Sequence, residues 1–352
     1  RQGLQGSDGD RRCCLFGVNQ NTRPEDSGKA GGQEDKGVYR IADLQTVLIY
    51  RDPDNFCAEP SLANLGNGEI VAVFAQNRGL QHTDTGSILL VRSYDHGRTW
   101  DPHSKVVVLQ EEEDAGWNIA AICRLRDGTL LLHANRWRYL VNGRIDWLTG
   151  KSEIDGIWLT RSTDGGHTWS PIERVNIAPM RNARVRDAIL ELPNGDWLMP
   201  LHGFRWQRTL PDIASAERER CFVLWSPNQG KSWHYYGTMA YDPAEIIHFH
   251  EPGICQMPDG RLLGLMRTHR WPTPVAPGEQ MGPPSGYVFM AFSEDNGMSW
   301  SWPKNTKIWG YPPDVIVLPD GSVLMAVSHR TKPMGVHIAI SADGGRWLPE
   351  DV

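Results

Sequence analysis

Ser93-Tyr94-Asp95-His96-Gly97-Arg98-Thr99-Trp100 is the most informative segment of the chain, because the chain repeats it. Its copies are Ser162-Thr163-Asp164-Gly165-Gly166-His167-Thr168-Trp169, Ser226-Pro227-Asn228-Gln229-Gly230-Lys231-Ser232-Trp233 and Ser293-Glu294-Asp295-Asn296-Gly297-Met298-Ser299-Trp300. A shortened copy follows at Ser341-Ala342-Asp343-Gly344-Gly345-Arg346-Trp347. The shared pattern is Ser-x-Asp/Asn-x-Gly-x-Thr/Ser-Trp. Asp or Asn folds its side chain back onto nearby backbone N–H groups, and Gly supplies the positive φ of a tight hairpin. Trp adds a large apolar body to wedge against the neighbouring strand. A single hairpin of this kind carries little weight, whereas a regular series of them marks a repeat protein.

A second repeat runs in step with the first. Gly68, Gly128, Gly195, Gly260 and Gly321 each follow Asn or Asp between two apolar runs, as in Arg124-Leu125-Arg126-Asp127-Gly128-Thr129-Leu130-Leu131-Leu132. Asp-Gly and Asn-Gly in that setting are strong hairpin signals. Each unit therefore holds two hairpins, which make one four-stranded propeller blade. Five units are visible.

Composition agrees with many short strands joined by turns: 36 Gly, 24 Pro and 40% hydrophobic residues in 352. Fifteen Trp is a high load, and the repeats account for five of them. The net charge of −6 provides no basic footprint for nucleic acid or an anionic membrane. No apolar run approaches the roughly 20 residues needed to span a bilayer. The six cysteines lack metal-ligand or Cys-x-x-Cys spacing and read as free thiols. Residues 1–36 are polar, Gly-rich and aperiodic, and read as a disordered or poorly structured extension ahead of a propeller over 37–352. The first residue is Arg, so either a leader has been removed or the N-terminus is a fragment, and the compartment stays open.

In a propeller, positions beside each innermost strand converge on the axis. Those positions hold Glu59, Asn118, Arg186 and Asp187, His250 and Glu251, and Tyr311 with Asp314. Second strands end in Arg78, Arg136, Arg138, Arg205, Arg267, Arg270 and Arg330. Carboxylates and guanidiniums around one cavity suit a small anionic or polyhydroxyl ligand, since Arg matches a carboxylate bidentately. The alternative is that these charges pair with one another at strand ends.

The Ser-x-Asp-x-Gly-x-Thr-Trp pattern resembles the Asp-box, or BNR repeat, of the sialidase (neuraminidase) superfamily, from about residue 55 onward. The resemblance implies an all-β, sialidase-type β-propeller. That family fold has six blades, so the sixth is expected to be missing by truncation, with Thr46–Tyr50 pairing into the last blade of an intact ring. A closed five-bladed ring is the rival. The resemblance also implies roles. Arg78 and Asp84 match the segment carrying a substrate-binding Arg and the acid/base Asp. Glu251 matches the Glu that activates the nucleophile, Arg267 an Arg of the carboxylate clamp, and Tyr311 the Tyr nucleophile displaced by one position. The first clamp Arg is replaced by Ala58, and the third, near Gly286-Tyr287, is absent.

These readings imply an exo-glycosidase that removes terminal acidic sugars. Its catalytic residues would be Asp84, Glu251 and Tyr311. Arg78, Arg267, Glu59, Arg186, Asp187, His250, Asp314 and Arg330 would bind a carbohydrate substrate. Trp117, Trp137 and Trp206 are candidates to stack on sugar faces or to pack the blades. His248-Phe249-His250 could align two imidazoles, but the sequence offers no third ligand, so no metal and no cofactor are expected. The rivals are a lyase or hydrolase of uronate-containing glycans, working through His250 or His329 with Tyr311, and a non-catalytic glycan-binding propeller. Oligomeric state is left open.

Overall fold

The computed structural model describes residues 13–17, 45–80, 86–138, 153–205, 218–270, 286–330, 332 and 334–347. Every regular element among them is a strand. The first blade is β3 (Asn55–Gly66), β4 (Glu69–Arg78), β5 (Ser87–Ser93) and β6 (Asp101–Leu109), hydrogen-bonded in that order. The second follows as β7 (Ala115–Arg124), β8 (Leu130–Arg138), β9 (Glu153–Ser162) and β10 (Glu173–Arg174). In the third, the inner strand is split into β11 (Met180–Val185) and β12 (Leu190–Glu191), both pairing with β13 (Trp197–Arg205), before β14 (Arg220–Ser226) and β15 (His234–Ala240). The fourth is β16 (Ile247–Gln256), β17 (Leu262–Arg270), β18 (Tyr287–Ser293) and β19 (Lys304–Trp309). The fifth has three strands: β20 (Pro313–Val317), β21 (Val323–His329) and β22 (Gly335–Ser341).

Alternation along the strands gives each sheet two apolar faces, so blades stack face to face. Val71, Val73 and Ala75 of β4 meet Ala120, Ile122 and Leu132 of the second blade. Ile157 and Leu159 meet Val185, Met199 and Leu224 of the third. Similar seams join the third blade to the fourth and the fourth to the fifth. The opposite face of the first blade, Ala72 and Phe74, is covered by Ile49 and Tyr50 of β2 (Gln45–Tyr50). That strand pairs with β1 (Cys13–Gly17) within the N-terminal extension, whereas it was expected to pair into the last blade of a six-bladed ring. Among the described residues the molecule is thus a five-bladed arrangement whose first blade is flanked by a two-stranded sheet. The rest of the 1–36 extension lies outside the described residues.

The two repeats share one end of the blades. The Asn67-Gly68 turn takes a hydrogen bond from the repeat next to it, His96 N–H to Gly68 O at 2.8 Å. Each Ser-x-Asp turn is knotted by its own side chains. Asp95 Oδ1 accepts from Ser93 Oγ and Thr99 N–H, both at 2.8 Å, and Ser93 Oγ accepts from Gly97 N–H at 2.8 Å. The serines are 0–2% exposed in all five copies, and in the first four the hydroxyl accepts from the N–H of the repeat glycine, which gives Ser a reason to recur there. The candidate site lies toward the other end, where the second strands of the blades finish. No disulfide links the described cysteines Cys57, Cys123, Cys221 and Cys255.

Candidate functional site

The site is built where the inner strands break step. The pairing register slips between Ala58 and Ser61, between Asn118 and Ala120, and between His250 and Gly253. Glu59 (φ 57°), Ile119 (φ 53°) and Glu251 (φ 47°) occupy these bulges in the left-handed region. β-Branched and acidic residues seldom adopt it, so the surrounding sheet must enforce the conformation. A bulge re-aims the side chains on either side of it. The third blade reaches the same result by splitting its inner strand, which leaves Arg186 and Asp187 in the gap.

Around the axis these residues form one connected set. Glu59 Oε2 lies 2.6 Å from Arg186 Nη1. Arg186 is half-buried, and the charges of Glu59, Glu251, Asp314 and Asp187 outweigh the cost of that partial burial and hold its pKa above the ordinary value. Glu251 Oε2 lies 3.0 Å from Arg267 Nη1. Burial alone would push the Glu251 carboxyl up, but Arg267 and Arg186 bring it down to about 2. The Arg267 guanidinium sits 4.1 Å from the Tyr311 ring centre, and Arg330 sits 4.8 Å from it. Asp187 goes the other way, to about 7, pushed first by burial and then by the charge of Asp314. Its Oδ1 accepts from Ala188 N–H at 2.7 Å and its Oδ2 from Ile254 N–H at 2.9 Å. Asp314 Oδ1 accepts from Val315 N–H at 2.8 Å.

A second group lies behind this one, at the seam of the third and fourth blades. Glu219, 3% exposed, holds Arg184 Nη1 at 2.6 Å on Oε1. Its Oε2 meets His202 Nδ1 at 2.7 Å and His250 Nδ1 at 3.0 Å. Burial would raise the Glu219 carboxyl, but Arg184 and His250 hold it well below the usual carboxylate range. Burial lowers the pKa of His202, against the pull of Glu219.

The structure therefore brings together Glu59, Arg186, Asp187, His250, Glu251, Arg267, Tyr311, Asp314 and Arg330. Arg78 pairs through its exposed guanidinium with Glu111 at 2.5 Å. Arg136 pairs with Glu112 and with Asp155. Asp84 and Trp206 lie outside the described residues. Trp117 and Trp137 are 1% and 2% exposed, and Trp117 donates to Gln110 O at 2.9 Å, so both pack blades instead of offering faces to a sugar. Glu219, His202 and Arg184 were missed from the sequence. The one local signal for them is a charged trio, Arg218-Glu219-Arg220, set directly before the apolar strand Cys221-Phe222-Val223-Leu224-Trp225.

Residues 107–350 match the family model of the BNR repeat-like domain. No curated protein matches the chain. Among solved structures, a protein of unknown function from Dyadobacter fermentans DSM 18053 superimposes with a TM-score of 0.70 at 25% identity, over 84% of this chain and 81% of that one. The intramolecular trans-sialidase of Ruminococcus gnavus gives 0.59 at 16% identity, over 83% and 82%. An α-L-arabinanase of Penicillium chrysogenum gives 0.54 at 15% identity, over 83% and 80%.

Proposed function

The chain belongs to the BNR repeat-like domain family and has the sialidase-type β-propeller fold, and from that footing we propose that it is an exo-acting glycosidase. The observation that carries the reading is the link Glu251–Arg267–Tyr311. A carboxylate held ionised on one blade is joined through a guanidinium to a phenol on the next.

The chemistry follows the sialidase scheme, in which a Tyr replaces one of the usual two carboxylates. Glu251, ionised with its pKa at about 2, has the charge state of a base and not of an acid. It takes the phenolic proton of Tyr311 as the Tyr311 oxygen bonds to the anomeric carbon. A carboxylic acid gives its proton to the departing glycosidic oxygen. Water then cleaves the glycosyl–tyrosine bond, with that acid, now ionised, accepting the water proton and Glu251 returning its proton to the departing Tyr311 oxygen. Asp84 is the acid implied by the family resemblance. Among the described residues, Asp187 is the carboxyl whose surroundings favour keeping a proton toward neutrality. Opposed shifts on two nearby carboxyls are how a site assigns acid and base.

The identity of the sugar turns on the arginines. A ring of guanidiniums suits an acidic sugar, which is the first reading. The ion pairs favour a second. Arg186 and Arg267 already face Glu59 and Glu251, so a sugar carboxylate would have to compete with them, and a neutral sugar would not. Assaying the unmodified protein and Glu251→Gln on aryl α-sialosides, uronides and neutral aryl glycosides tests both readings. Loss of turnover in a folded variant supports catalysis by Glu251. Glycan binding with no turnover by the unmodified protein would leave a binding module.

A further inference from the structure

None of the three side chains clustered at the seam of the third and fourth blades takes part in the proton transfers of the glycosidase scheme, although His250 also borders the charged set at the axis. We infer that His202, Glu219 and His250 form a binding site for a first-row transition metal ion, zinc(II) foremost.

Three segments distant in sequence bring these residues to one point: β13 carries His202, the residues before β14 carry Glu219, and the bulged stretch of β16 carries His250. One donor atom from each lies within 4.8 Å of the other two. His202 Nδ1 and His250 Nδ1 both face the same carboxylate oxygen, Glu219 Oε2, at 2.7 and 3.0 Å. A tetrahedral ion with bonds of about 2.0–2.1 Å separates its donors by roughly 3.3 Å. The two carboxylate–imidazole separations need to open by only a few tenths of an ångström to admit one, and the two imidazole nitrogens, within 4.8 Å of each other, have to settle at the same spacing. Two imidazoles and one carboxylate suit zinc and its neighbours, whereas calcium and magnesium call for oxygen.

The supporting contacts fit the same assignment. Arg184 occupies Oε1 of Glu219 at 2.6 Å and leaves Oε2 turned toward both rings, the kind of outer contact that orients a metal-binding carboxylate. The backbone of Glu219 is pinned across the seam. Its N–H donates to His248 Nδ1 at 3.1 Å, and its carbonyl accepts from Phe249 N–H at 3.0 Å. His202 and Glu219 are each 3% exposed, so their donors are held in place before any ion arrives. Three protein ligands leave a fourth position for water. Without an ion, the same three side chains make a closed hydrogen-bonded group in which both Nδ1–H donate to Oε2, and the experiment must separate these two states.

Full-length protein carrying no polyhistidine tag is stripped with chelator and titrated with Zn²⁺ by calorimetry and with Co²⁺ by visible absorption. The expected result is one equivalent bound, tetrahedral cobalt bands and a higher Tm. His202→Ala and Glu219→Gln should each weaken binding by about a hundredfold or more, while His96→Ala on the first repeat turn should leave it unchanged. A folded wild-type protein that binds neither ion overturns the assignment, as does one that binds equally well after both substitutions. Should those variants fail to fold, zinc-edge X-ray absorption of the wild-type protein decides. Two imidazole ligands support the site, and one or none overturns it.

Discussion

Glu251 and Arg267 face each other at 3.0 Å across the first hairpin of the fourth blade, and the same guanidinium lies over the ring of Tyr311 on the fifth. One arginine therefore ties a carboxylate to a phenol supplied by the adjacent blade. Neither side chain can be moved without disturbing the other, and this coupling sets the terms of several tests.

Glu251→Gln keeps the shape of the side chain and removes the base. Turnover of a responsive aryl glycoside should fall by about a hundred- to ten-thousand-fold, with the far-UV spectrum unchanged. Retained activity in a folded variant would remove Glu251 from the chemistry.

Tyr311→Phe leaves the ring between Arg267 and Arg330 but deletes the phenolic oxygen. Its Tm should stay close to that of the wild type while turnover is lost. Tyr311→Ala removes a ring that is 8% exposed and should cost about 3–5 kcal/mol in denaturant titration. Equal activity in the Phe variant would mean that Tyr311 only packs.

Glu59→Gln frees Arg186 from a carboxylate 2.6 Å away. The ratio of activity, or of binding, on acidic against neutral sugars should rise by about tenfold or more, since a charge-assisted hydrogen bond contributes about 1.5–3 kcal/mol. An unchanged ratio would place Arg186 away from the sugar.

Asp187 makes stability fall with rising pH. Its folded pKa of about 7 lies above the ordinary 3.8, so its contribution is complete below 3.8 and is lost as pH rises through 7. The repeat carboxylates act in the opposite sense. Asp95, lowered to about 2 chiefly by the Thr99 hydroxyl, contributes above 3.8 and loses that contribution as pH falls through 2. Asp187→Asn is expected to lower stability, because an amide has one oxygen for the two N–H groups that Asp187 accepts. Its Tm between about pH 4 and 7 should nevertheless fall less steeply than that of the wild type. Parallel curves would assign the slope to other groups.

Ser162→Ala tests the repeat turn. Ser162 is 2% exposed, and its Oγ accepts from Gly166 N–H at 2.7 Å and donates to Asp164 Oδ1 at 2.7 Å. Leaving that buried N–H unsatisfied should cost about 1–3 kcal/mol in chemical denaturation. A change within a few tenths of a kcal/mol would mean that water replaces the hydroxyl.

What could be read without coordinates was what a few neighbouring residues settle among themselves. Ser93, Asp95, Gly97 and Thr99 close their turn within the same short stretch, and Asn67-Gly68 fixes a hairpin with its own backbone, so both repeats and the two hairpins of each unit are legible. Strand alternation likewise shows that Val71, Val73 and Ala75 share a face. Which charge meets which is another matter. Nothing near Glu219 marks it as the partner of Arg184, His202 and His250, and nothing near Arg78 points to Glu111. Trp117 and Trp137 read equally well as sugar platforms or as packing, and burial decided for packing. The strand at Thr46–Tyr50 was legible, but not its partner β1. The amino-acid sequence alone determined the kind of module and its repetition, because hairpin conformation is a local equilibrium. The site itself came from folding in three dimensions, because the bulges at Glu59 and Glu251 and the radial stacking of separate blades set the distances between charges far apart in the chain.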